Sequence, residues 1–162
     1  MRSAPVVADE DERRERLIAL YRDERVGLVR LAHLMTGSPA LAEDIVQEAF
    51  LRLHPVLDTV EKPGAYLRTT VVNLCRSHHR REGVARRWLE RQPAPGADLP
   101  PELDETWRAL RALPEAQRHA LVLRFYLDLR IADIAALLGK PTGTVKSTLH
   151  RGLAALTREV TS

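Results

Sequence analysis

The sequence predicts an all-α protein: two small helical domains joined by a Pro-rich linker, the second containing a helix-turn-helix. Three observations carry this prediction. Apolar residues recur at intervals of three and four along most of the chain, and no segment shows the sustained alternation of a strand. Residues 92–101 hold four of the ten prolines and one glycine, which is linker composition. Within residues 134–147, the small Ala135, the turn glycine Gly139 and the apolar Val145 follow one another in the order in which two crossing helices pack around a tight turn.

The bulk composition allows this architecture. A chain of 162 residues is one ordinary domain or two small ones, at roughly 100–200 residues per domain. Apolar residues are 44% and charged residues 29%, so a core can be buried. Aromatics are only 4%, so that core must be mainly Leu, Val, Ile and Ala. The longest apolar runs, 17–21 and 134–138, are five residues each. A membrane span needs about 20, so no membrane segment is expected. The first residues lack the apolar stretch of a secretory signal and turn acidic at Asp9. The single cysteine, Cys75, excludes an intramolecular disulfide framework and fits a reducing compartment, so a cytoplasmic location is expected.

The elements follow in order. Residues 1–12 lack periodicity and read as a frayed tail. From Arg13, the residues Leu17, Tyr21, Leu28, Leu31 and Met35 fall on one helical face. Thr36-Gly37-Ser38-Pro39 then supplies a glycine stop, a serine N-cap and a proline at the next helix's first position. The second helix, 39–53, carries the apolar stripe Ala42, Ile45, Val46, Ala49, Phe50 and Leu53, with Asp44, Gln47, Glu48 and Leu51 on the neighbouring stripe. Residues 55–62 read as a loop. Pro63 opens a third helix, whose inward face is Leu67, Val71, Leu74, Cys75 and His78. Its polar, basic face is Thr69, Asn73, Arg76 and Arg80. Beyond the linker, helices are expected near 102–112, 115–127, 130–138 and 142–159, punctuated by Pro114, Asp128 and Gly139-Lys140-Pro141. In the last of these Val145, Leu149, Leu153 and Leu156 are expected to face the core, leaving Lys146, Ser147, His150 and Arg151 outward. The domains are therefore placed at 13–91 and 102–160.

Charge is segregated. Of 25 basic residues, 22 are arginine. Residues 76–91 carry six arginines against Glu82 and Glu90, a balance of +4, and residues 140–158 carry four basic residues and no acid. Between them, residues 92–107 hold four acids and no base. Two basic patches around an acidic connector fit an extended polyanion contacted at two places, and equally fit solvated helix faces.

These residues carry a family resemblance. The segment 42–53, Ala-Glu-Asp-Ile-Val-Gln-Glu-Ala-Phe-Leu-Arg-Leu, resembles region 2 of bacterial sigma factors, where that family docks on core RNA polymerase. Residues 63–74 resemble the following part, which melts and reads the −10 promoter element, and residues 113–156 resemble region 4, which reads the −35 element. With these two domains and a short linker, the chain is similar to the extracytoplasmic-function (ECF) group of the sigma-70 family. The resemblance implies a non-enzymatic transcription initiation factor with core RNA polymerase and promoter DNA as partners, an anti-sigma factor as a further partner, and no cofactor. It implies a polymerase-binding set of Asp44, Gln47, Glu48 and Leu51, a −10 set of Thr69, Asn73, Arg76 and Arg80, and a −35 set of Lys146, Ser147, His150 and Arg151. It also matches the loop 57–62 to one that captures a base flipped from the melted strand.

The chemistry of the residues agrees. Two acids, an amide and an apolar anchor suit a basic protein surface and repel phosphate. Asn pairs bidentately with adenine, and Arg with guanine or phosphate. Tyr66 has a ring that can stack on a base, although core is the commoner role. The chain departs from the family pattern at Ser77, where Asp is usual, at Lys140 in the turn, at Thr148 in place of Arg, and at Gly152 in place of Ala. Cys75, His78 and His79 lie on one helix, and the adjacent histidines diverge too far for a tetrahedral metal site. No nucleophile–base set or Gly-rich phosphate loop is present, and His33 and His119 sit within helical patterns. The alternative is a helix-turn-helix regulator acting without polymerase, but residues 1–91 offer no strands for a receiver or ligand domain.

Overall fold

The computed structural model describes residues 7–82 and 101–161, with the side chains of 79–82 and 101–104 outside the description, as are those of 7–9. The chain divides into two compact units, Met1–Arg91 and Gln92–Ser162. Among the described residues every regular element is helical.

The first unit contains α1 (Val7–Thr36), α2 (Pro39–Leu53), a short 3₁₀ turn (His54–Val56) and α3 (Pro63–Glu82). The junction of α1 and α2 follows from local chemistry. Gly37 takes φ +75°, a conformation that costs a side-chain-bearing residue energy, and ends α1. Ser38 then accepts a hydrogen bond from the Leu41 amide at 3.2 Å, with Pro39 at the first position. The expected stripe of α2 is buried at all six positions, from Ala42 to Leu53. Leu28, Leu31 and Met35 of α1 and Leu67, Val71, Leu74 and Cys75 of α3 close the core around it. Val72 is buried as well, although its position falls between the two expected faces. The reason is that α3 packs against both α1 and α2 and is covered over a wider arc.

α1 starts earlier than the sequence predicts: residues 7–12, read as a frayed tail, are helical. Acidic residues at the start of a helix complement its dipole. Ion pairs also lace α1 to the rest of the unit. Arg13 and Arg16 lie 3.6 and 3.5 Å from Asp58, Arg25 lies 2.6 Å from Glu43, and Glu24 lies 3.7 Å from Arg68. Tyr21, expected on the inward face, is half exposed. Its ring meets Phe50 edge-on at 5.0 Å, and the Arg25 guanidinium lies 5.7 Å from the ring centre.

The second unit contains α4 (Pro101–Ala112), α5 (Glu115–Leu121), a π-helical turn (Val122–Tyr126), α6 (Ile131–Leu138) and α7 (Thr142–Thr161). The single helix expected over 115–127 is thus replaced at Val122 by a wider turn, closed by Leu127 N–H donating to the Val122 carbonyl at 3.2 Å. Asp128 follows at φ +53°, a conformation that short polar side chains tolerate best. The turn keeps Val122 and Leu123 buried while Phe125 stays 62% exposed. Gly139 adopts φ +63°, and the Lys140 amide donates to the Ala135 carbonyl at 3.0 Å, closing α6 in a Schellman-type cap.

One expectation about α7 is corrected. Val145 and Leu149 are buried, but Leu153 is 41% exposed and Leu156 only half-buried. Thr148 and Gly152 complete the buried face instead. The Thr148 hydroxyl is internally satisfied, donating to the Thr144 carbonyl at 2.8 Å. A Cβ on Gly152 would lie 3.2 Å from Leu121 Cδ1 and 3.4 Å from Gln117 Cβ. Gly152 therefore lets α7 approach α5 closely, which explains its place inside a helix despite poor propensity.

Two outcomes follow from this packing. Gly152→Val should destabilise the second unit by about 1–3 kcal/mol through overpacking against Leu121, measured by urea unfolding. Burial pushes the Cys75 thiol up to about 12 from its ordinary 9.0. Native Cys75 should therefore resist Ellman's reagent at neutral pH and react in denaturant. The unfolded chain releases this proton first, so its contribution to stability should fall as pH rises from 9.0 to about 12. Cys75→Ala should flatten that part of the curve.

Candidate functional site

α2 turns a continuous polar strip outward because its opposite face is filled. Asp44 and Gln47 are exposed, Glu48 is half-buried and Leu51 is 68% exposed. All four expected residues therefore share one accessible strip. Glu48 is engaged: its carboxylate accepts from Arg52 at 2.8 Å, one helical turn on. Such an i,i+4 pair adds about 0.2–0.5 kcal/mol, and this one is partly exposed, so it is exchanged easily for another partner.

α3 presents Thr69 and Asn73 to solvent, with Arg76 half-buried on the same face. Arg80 belongs to α3 by its backbone, and its side chain lies outside the described residues. Ser77 is exposed beside Asn73. The residues expected to meet two different ligands are brought together here. Glu48 and Arg52 of α2, with Asn73, Leu74, Ser77 and His78 of α3, line one recess of about 130 Å³. Sequence reasoning missed Arg52 as part of this group. Its i,i+4 relation to Glu48 is visible in the sequence, but nothing in the spacing shows that α3 lies beside it.

The loop 57–62 is not a free strap. Leu57 is buried, Asp58 is held by Arg13 and Arg16, and Arg13 also donates to the His54 carbonyl. The Thr59 amide and hydroxyl both donate to the Val56 carbonyl, at 2.9 and 2.8 Å. Tyr66 is half-buried just beyond it.

On α7, Lys146, Ser147, His150 and Arg151 are all exposed, on the side opposite Val145, Thr148, Leu149 and Gly152. The Ser147 hydroxyl donates back to the Gly143 carbonyl at 3.0 Å, which leaves its oxygen able to accept. Thr148, which replaces a frequent arginine of the family, points inward, so that departure affects packing.

Among the described residues, no cluster of three His, Cys, Asp or Glu side chains is placed to hold a metal ion. Cys75 is buried, His78 lines the recess, and the side chain of His79 lies outside the described residues. His33 and His119 are both buried. No described helix is long and apolar enough to cross a membrane.

Comparison with known proteins identifies the frame in which these surfaces sit. Residues 20–89 match sigma-70 region 2, and residues 103–156 match sigma-70 region 4. The RNA polymerase sigma-E factor of Streptomyces coelicolor is 33% identical over 151 residues, covering 86% of this chain and 82% of the relative. The ECF RNA polymerase sigma factor EcfG of Rhodopseudomonas palustris is 35% identical over 129 residues, covering 72% of this chain and 70% of the relative. The fold is shared with the sigma factor RpoE of Bartonella quintana, solved in complex with the anti-sigma factor NepR. That similarity has a TM-score of 0.68 at 23% identity, over 91% of this chain and 96% of the other. The chain accordingly belongs to the ECF group of the sigma-70 family, the promoter-recognising transcription initiation factors that act with core RNA polymerase.

Proposed function

We propose that the two units divide the work of initiation as their surface chemistry divides. In this reading the domain 13–91 docks on core polymerase through Asp44, Gln47, Glu48 and Leu51, and holds the −10 element through Thr69, Asn73, Arg76 and Arg80. The domain 102–160 reads the −35 element through Lys146, Ser147, His150 and Arg151, and residues 92–101 tether the two. The protein works in the cytoplasm as a non-catalytic subunit, without cofactor, and an anti-sigma factor restrains it. The solved neighbour held by NepR supports that last partner.

The observation that carries this reading is the opposition of two chemistries on helices with fully assigned inner faces. The outward strip of α2 is acidic and amide-bearing with one exposed leucine, while the outward face of α7 from Thr142 to Arg151 has two cations, an imidazole and no acid. An acidic strip repels phosphate and seeks a basic protein surface. The acid-free face of a helix that follows a tight turn suits the major groove.

Two experiments test the division. Asp44→Lys/Glu48→Lys should abolish co-purification with core polymerase while leaving the melting temperature within a few degrees, because both side chains lie on the surface. Unaltered co-purification would remove this strip from the polymerase interface. On α7, Arg151 is five positions beyond Lys146, so they sit roughly 7 Å apart along the axis and reach one stretch of groove. The forked guanidinium of Arg151 matches the two acceptors of guanine, and Lys146 supplies a point charge. Arg151→Ala should therefore cost about 1–3 kcal/mol and relax preference at one −35 base pair. Lys146→Ala should weaken all sequences alike and lower the salt slope by about one. Binding across a −35 library at several salt concentrations measures both. Uniform weakening by Arg151→Ala would make it a phosphate clamp.

A further inference from the structure

We propose that the recess between α2 and α3 is a subsite for one nucleotide of single-stranded DNA, with Arg52 as its phosphate clamp, and that Glu48 masks Arg52 in the free protein. The proposal rests on the reading of α3 as the −10 helix and adds to it a residue and a regulatory contact on α2.

The recess has a lining of mixed chemistry. Leu74 is buried at its floor, and its walls carry a guanidinium, an amide, a hydroxyl, an imidazole and one carboxylate. Arg52, Asn73 and Ser77 are exposed at the rim. At about 130 Å³ the recess is too small for duplex and takes a single base edge or phosphate with its neighbours outside. Arg52 offers the forked donors that match a phosphodiester. Asn73 and Ser77 offer hydrogen bonds to a base edge or a sugar–phosphate oxygen.

Glu48 is the one lining group that opposes an anion, and it already holds Arg52 at 2.8 Å. In the free protein a phosphate entering the recess must displace that carboxylate and then remain beside it. Glu48 also belongs to the strip read as the polymerase-docking surface. A basic polymerase group that takes up the Glu48 carboxylate releases Arg52 toward the strand and neutralises the repulsion at the same time. Docking and strand binding are then coupled through one side-chain exchange. By linkage each must strengthen the other by the same factor.

The test uses the full chain without polymerase and a fluorescent 12-nucleotide oligothymidine, read by anisotropy at several salt concentrations. Glu48→Gln should tighten binding by roughly two- to fivefold, since it removes both the mask and the repulsion. Arg52→Ala should weaken binding and lower the salt slope by about 0.7, one phosphate contact on a single strand. The double variant should bind like Arg52→Ala, with most of the Glu48→Gln gain lost. Equal tightening by Glu48→Gln in both backgrounds would overturn the mask. An unchanged salt slope in Arg52→Ala would overturn the subsite. Asn73→Ala separates the subsite from the reading beneath it. If Asn73→Ala weakens binding and Arg52→Ala does not, the −10 reading survives and the subsite is overturned. If Arg52→Ala alone weakens binding, the phosphate clamp is upheld and the −10 reading of α3 is what fails. Thermal melts followed by circular dichroism establish that each variant is folded.

Discussion

The burial of one stripe of α2, from Ala42 to Leu53, is the constraint on which the first unit depends. Six apolar positions at steps of three and one allow only one rotation of this helix about its axis. That rotation decides what else must happen. α1 and α3 close over the stripe, and the strip of Asp44, Gln47, Glu48 and Leu51 is left facing out. A slip by one position would drive Asp44 or Glu48 into a core with no partner for it, at a cost far above that of a surface change. The polar strip thus needs no separate device to keep it accessible. Its exposure and the stability of the core are two faces of one packing decision.

The second unit solves a similar problem with backbone chemistry. Gly139 ends α6 in the left-handed conformation, and Gly152 admits α5 to within contact of the α7 backbone. Together they set where α7 starts and how deeply its inner face is seated. Lys146, Ser147, His150 and Arg151 then occupy the opposite face as a consequence. From Thr142 to Arg151 that outer face offers cations and no acid, the chemistry on which its proposed fit to a groove lined with phosphates rests.

The two helical junctions show what was legible in the sequence. Gly37-Ser38-Pro39 and Gly139 are local signals whose physics lies within a few residues, and the structure places the chain breaks where they predict. The α2 stripe was legible for the same reason, since its period is complete within fifteen residues. Where the sequence reading erred, the deciding partner was distant. Residues 7–12 extend a helix whose following residues Arg13 and Arg16 pair with Asp58, over forty positions away. Thr148 and Gly152 face inward because α5 sits against them, whereas periodicity alone favoured Leu153. The π turn at Val122, which leaves Leu123 buried and is followed by Asp128 at positive φ, corresponds to no repeat in the sequence. The candidate site divided in the same way. Each set of outward residues could be read from its own helix, but the meeting of Glu48, Arg52 and Asn73 on one recess depends on how α2 and α3 cross.

Family membership makes the chain a promoter-recognising initiation factor, and the surface chemistry supports the proposed division in which an acidic strip grips polymerase and basic helices hold DNA. The most direct measurement is run-off transcription from a genomic fragment library by core RNA polymerase reconstituted with this chain. The account predicts transcripts that require both components and whose start sites share two upstream motifs near −10 and −35 at a fixed spacing. Transcripts no different from those of core polymerase alone, or start sites without a shared pair of motifs, would contradict it.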